Sequence, residues 1–73
     1  MAVDKRAAKR ELEELLWVMS GHRNDQAAYR HKGDAAWVAR CDQALEIDYA
    51  LIRSHCAEHG LELPHDVPPE DAA

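Results

Sequence analysis

Between Asp34 and His59 the sequence has neither proline nor glycine, and all three prolines lie beyond residue 63. Nothing in that stretch interrupts a helix. No run approaches the roughly eighteen apolar residues of a membrane span, and the start M-A-V-D-K-R lacks the apolar core of a signal peptide. Cysteine is scarce. Cys41 and Cys56 lie on one proposed helix about 22 Å apart at a rise of 1.5 Å per residue, whereas a disulfide needs Cα atoms within roughly 4.4 to 6.8 Å. Pairing within one chain is thereby excluded if the helix forms, which favours reduced thiols in a cytoplasmic protein. Each cysteine then reads as a small buried hydrophobe. A bridge from Cys41 to Cys56 of a second chain requires two main helices crossing antiparallel near Asp48 and Tyr49.

Basic excess is lacking too. Formal net charge is -5, and Glu62, Asp66, Glu70 and Asp71 carry most of it within residues 61–73, which hold no Lys or Arg. The body is nearly neutral, so the broad basic footprint of a nucleic-acid binder is missing, although Lys5, Arg6, Lys9 and Arg10 cluster near the start. There is no nucleophile elbow, phosphate-binding glycine loop, C-x-x-C or H-E-x-x-H. The expectation is a non-enzymatic protein with no required cofactor.

What is present is helical periodicity. Asp4 is a suitable N-cap for a first helix over about residues 5–31, with Val3 packing on Ala8 as a staple. Its inner seam at heptad spacing runs Ala8, Leu12, Leu15, Met19, His22, Gln26 and Tyr29, with Leu16 beside it. Ser20-Gly21 leaves an alternative, a break near residues 20–24, since a mid-helix glycine costs about 1 kcal/mol. Lys32-Gly33-Asp34 supplies the turn, Gly33 taking the left-handed conformation and Asp34 capping the next helix. That second helix spans about residues 34–59 and centres its apolar face on Val38, Cys41, Leu45, Tyr49, Ile52 and Cys56, widened by Trp37, Ala44, Leu51 and Ile47. Gly60 ends it, and residues 61–73 read as an acidic, Pro-containing flexible tail able to fold across Lys5 to Arg10. No second domain or repeat is visible.

The fold class that follows is all-α: residues 1–60 form an antiparallel two-helix hairpin. The apolar arc of its second helix covers about 200° at 100° per residue, more than one neighbour hides. A chain this short buries only roughly 60% of its unfolded surface and leans on a partner subunit. The hairpin is therefore expected to dimerise into a four-helix bundle, with Trp17, Trp37, Ala44, Ile47, Asp48 and Leu51 at the interface. Trp17 projects away from the seam, where a tryptophan serves as an anchor for another protein; the acidic tail is a second surface of that kind.

Two polar features stand out. His55 and His59 are four apart on one helical face, and in a hairpin pivoting on Gly33 Glu11 comes opposite His55; two imidazoles and a carboxylate suit zinc, nickel or non-haem iron. Cys41, Asp48 and His55 follow one another at heptad spacing. A buried carboxylate needs a partner, and Asp48 finds candidates in His22 or Arg23 across the hairpin, or in a residue of a second chain. A buried polar layer of this kind fixes register and oligomer state.

In its length, its central turn and its ending R-S-H-C-A-E-H-G, the chain resembles the Rop family of plasmid copy-number regulators, dimeric hairpins that bind paired RNA loops. That resemblance implies nucleic-acid binding by a hairpin dimer, here through Lys5, Arg6, Lys9 and Arg10. The leading expectation remains a small interaction or regulatory module acting as a homodimer. RNA or DNA binding is its first alternative and a metal-binding assembly the second.

Overall fold

A computed structural model describes residues 4–70. Two helices, α1 (Lys5–Lys32) and α2 (Ala35–His59), pack against each other as an antiparallel hairpin, with no strand among the described residues. Each helix begins where a carboxylate supplies an acceptor for otherwise unpaired amides. Asp4 accepts from the backbone N–H of Arg6 at 3.1 Å and of Ala7 at 3.2 Å, and Asp34 from that of Trp37 at 3.2 Å. The expected staple of Val3 on Ala8 and the end of the acidic tail at Asp71 lie outside the described residues.

Each helix ends at a glycine. Gly33 sits at φ 76° and donates to the Arg30 carbonyl at 3.1 Å, while the Asp34 N–H reaches the Tyr29 carbonyl at 2.9 Å. These two bonds satisfy the last carbonyls of α1 and reverse the chain in two residues, a geometry that demands a left-handed residue at Gly33. Gly60, at φ 64°, closes α2, with the Leu61 N–H on the Cys56 carbonyl at 2.9 Å.

α1 is unbroken through Ser20-Gly21. Residues on both sides of the glycine are tied to α2: Met19 is buried in the core, His22 binds Asp48, and Gln26 donates to Asp42. Tertiary packing offsets the glycine's intrinsic cost of about 1 kcal/mol. The seam from Ala8 to Tyr29 lies inward throughout, each of its residues buried or half-buried.

The segment after Gly60 belongs to the core. Val67 is 1% exposed, and Leu61 and Leu63 pack on the same cluster of Met19, Leu45, Ile52 and Cys56. A turn closed by the Val67 N–H on the Pro64 carbonyl, 3.0 Å, directs Val67 inward. Where the sequence reading expects a flexible tail that folds over Lys5 to Arg10, the chain runs back along the middle of the hairpin. Arg23 donates to the Asp66 carboxylate at 3.2 Å and to its backbone carbonyl at 2.5 Å, and Arg53 donates to the Pro68 carbonyl at 2.8 Å. The cause is apolar: Leu61, Leu63 and Val67 have a hydrophobic flank to cover, and burying a side chain such as valine contributes about 1.5–3 kcal/mol. Both cysteines are free and buried.

Candidate functional site

At about 100° per residue, Leu16 and Arg23 lie on one flank of α1, and Tyr49 and Arg53 on the matching flank of α2. This is the flank that the C-terminal segment closes. Arg23 bridges it, donating to the Tyr49 hydroxyl at 3.1 Å as well as to Asp66. The Tyr49 hydroxyl, and after it Asp66, hold the Arg23 guanidinium above its ordinary pKa against the opposing pull of burial.

The other flank has no such cover among the described residues. It is defined by three contacts between the helices: Tyr29 with Trp37, His22 with Asp48, and Glu11 with His55. Val18 (43% exposed), Leu51 (51%) and Trp37 (44%) lie along it, with half-buried Ala44 between Trp37 and Leu51. Ile47 and Trp17 lie further round on the outer sides of α2 and α1, Trp17 at 80% exposure. Beside Trp17, the missing side chain of Gly21 leaves a shallow depression walled by Val18, His22, Asn24 and Asp25.

The turn end of this open face is basic and aromatic. The rings of Tyr29 and Trp37 stack with centroids 5.3 Å apart, Lys32 Nζ lies 5.5 Å from the Tyr29 ring centroid, and the Arg40 guanidinium 4.6 Å from that of Trp37. Cations over aromatic faces are held by the ring quadrupole, so both charges are fixed near the surface. At the opposite end the same face carries Glu11, Glu14 and Glu58, all exposed.

Between the two ends lies the His22–Asp48 pair, Nδ1 to Oδ2 at 2.5 Å. A carboxylate only accepts, so Nδ1 carries the hydrogen. Asp48 is the buried charged side chain among the described residues, and its partner comes from the same chain. The heptad neighbour Cys41 is buried in the hairpin, so the line Cys41, Asp48, His55 runs along the inner edge of α2.

At the acidic end, His55 Nε2 lies 2.7 Å from the Ala8 carbonyl oxygen, and His55 Nδ1 lies 3.7 Å from Glu11 Oε2. His59 follows one turn later, its ring centroid 4.5 Å from that of His55 at an interplanar angle of 52°. One donor atom each from Glu11, His55 and His59 lies within 4.8 Å of the others. His59 Nδ1 is buried and has no hydrogen-bond partner. Cys56 points away, into the core, with Sγ 3.9 Å from the Glu62 carbonyl oxygen; burial pushes its thiol pKa up.

Lys5, Arg6, Lys9 and Arg10 are exposed on the first turns of α1; among the described residues no ion pair joins them to the acidic segment. Helical periodicity alone assigns neither Val18 to the open face nor Arg23, Leu61, Leu63 and Val67 to the closed one. A signal was present in the spacing of Leu61, Leu63 and Val67, three large apolar residues inside a segment otherwise rich in acid and proline. No helix is long and apolar enough to cross a membrane among the described residues. Comparison with protein-family models, curated proteins and solved structures finds no match.

Proposed function

We propose that this chain is a non-enzymatic interaction module with a regulatory role, and that its working form is a homodimer in which two hairpins pack open face to open face as a four-helix bundle. The observation that carries this reading is the asymmetry of cover. The chain seals one flank with its own C-terminal segment and leaves Val18, Trp37 and Leu51 exposed on the other.

A second copy is the favoured occupant because the face is complementary to itself. Lys32 and Arg40 sit at the turn end and Glu11, Glu14 and Glu58 at the other, so an antiparallel copy lays its basic end over the acidic end of the first. Attraction of this kind sets orientation more than affinity; burial of the apolar strip between the ends supplies the affinity. The molecule's 50 × 24 Å outline has room for the roughly 800 Å² per partner of a standard interface. Trp17 and the depression beside Gly21 stay outside the bundle seam, available to a further protein.

The test is sedimentation by analytical ultracentrifugation over a concentration series, repeated on Leu51→Arg. The expected result is a dimer for the native chain and a folded monomer for the variant. A native chain that stays monomeric and cooperatively folded at high micromolar concentration removes the reading.

A further inference from the structure

We propose that Glu11, His55 and His59 form a binding site for a divalent transition metal of the zinc class, which clips α1 to the C-terminal end of α2. All three ligands come from one chain, although Glu11 also lies at the acidic end of the open face.

The hydrogen-bond pattern supplies the first argument. A backbone carbonyl only accepts, so the 2.7 Å contact to Ala8 places the His55 hydrogen on Nε2 in the neutral ring. The lone pair then resides on Nδ1, which faces the Glu11 carboxylate at 3.7 Å. Two electron-rich atoms aimed at one another repel unless a proton or a cation lies between them. Donation of the non-ligating N–H to a backbone carbonyl is also how metal-binding histidines are commonly oriented.

His59 supplies the second argument. Its Nδ1 is buried with no partner, an arrangement that carries a desolvation penalty. A cation bound there would satisfy it. The donor atoms of all three residues already lie within 4.8 Å of one another. Glu11 is 65% exposed while His55 is 10%, so the carboxylate is free to swing toward two imidazoles that the helix holds four residues apart.

The donor set narrows the ion. Two imidazole nitrogens and one carboxylate oxygen suit zinc, nickel or iron; calcium and magnesium prefer all-oxygen surroundings. Three protein ligands leave a fourth tetrahedral position for water or for a group from another molecule. Cys56 adjoins His55 in sequence but faces the core, which keeps sulfur out of the set.

The decisive experiment titrates the full chain, stripped of metal by chelation, with zinc chloride while following heat and melting temperature. One zinc per chain is expected, with a rise on the order of 10 °C at a hundredfold excess over Kd. His59→Ala should abolish the rise and Glu11→Gln should weaken binding at least tenfold, whereas His31→Ala and His65→Ala, at exposed histidines elsewhere, leave it intact. Because His55→Ala also removes the bond to Ala8, the Glu11 and His59 variants carry the test. Absence of a zinc-dependent shift, or a shift that persists in both of those variants, shows that the two histidines are only a helix end favouring the C-terminal dipole and overturns the proposal.

Discussion

The two flanks of this hairpin are built from the same pair of helices and end differently. On the closed flank, Leu61, Leu63 and Val67 lie over Met19, Ile52 and Cys56, and the arginines of both helices hold the covering segment by its backbone carbonyls. On the open flank, two internal polar contacts, His22–Asp48 and Glu11–His55, join the helices beneath an exposed strip of Val18, Trp37 and Leu51. The difference teaches what a two-helix unit lacks: each helix pair has one seam but two flanks, and a small chain has surface enough to cover only one. The closed flank combines the apolar contacts of Leu61, Leu63 and Val67 with hydrogen bonds from Arg23 and Arg53, all under the covering segment. The open flank joins the helices through the Tyr29–Trp37 stack and two polar pairs, contacts that tolerate water at an uncovered edge.

Neighbouring residues on α2 offer the sharpest way to break that comparison. Ile52 is completely buried and Leu51 is half exposed, so one substitution made at each reads the two flanks separately. Ile52→Ala should cost about 2–5 kcal/mol, enough to unfold a large part of a small domain whose total stability is of that order. Leu51→Ala should change the stability of the monomer by less than about 0.5 kcal/mol, yet weaken self-association. Chemical denaturation at low and high protein concentration separates the two effects. Equal losses at low concentration would mean that the open flank is sealed within one chain.

A smaller effect is expected at the covering segment. Val67→Ala removes two buried methyl groups, about 1.5–2.5 kcal/mol with the cavity included, and loosens the lid over Cys56. Burial raises the Cys56 thiol above its ordinary value of 9.0. A raised folded-state value contributes stability that is fully present below the unfolded value and is lost as pH rises through the folded one. Native stability should therefore decline from about pH 9 upward, with a shallower decline in Val67→Ala because its thiol is less shielded. Urea titrations between pH 7 and 10 measure both slopes, and parallel curves for the two proteins would show that the segment does not shield the thiol.

The hairpin was legible because its signals are local and redundant. Asp4 and Asp34 are caps, Gly33 and Gly60 are stops, and the seven-residue spacing from Ala8 to Tyr29 marks the inner side of α1 on its own. Register across the hairpin follows from the length of the turn, which is how Glu11 is placed opposite His55 and how His22 comes into consideration for Asp48. The course of residues 61–68 was hidden because composition dominates a short segment. Two adjacent prolines and a run of acid read as disorder, while the three apolar residues that decide the packing have neither helical nor strand spacing. The exposure of Val18 depends on distant residues: it flanks the Leu15–Met19 seam of α1, a helix continuous through Gly21, and which flank stays open is set by where residues 61–68 pack.

That continuity gives the mildest and most discriminating prediction. Gly21 lies inside α1 with nothing within 4 Å of where a Cβ would stand, so alanine fits without displacing a neighbour. Gly21→Ala should stabilise the folded chain by about 0.5–1 kcal/mol through reduced backbone freedom in the unfolded state and a better helix propensity, a rise in melting temperature of a few degrees. The added methyl projects into the depression beside Trp17, outside the strip of Val18, Trp37 and Leu51. If two open faces meet along that strip, the dimer dissociation constant should stay unchanged as the monomer gains stability. A tenfold weaker dimer in Gly21→Ala would instead place the contact on the outer edge of α1, with Trp17 at its centre.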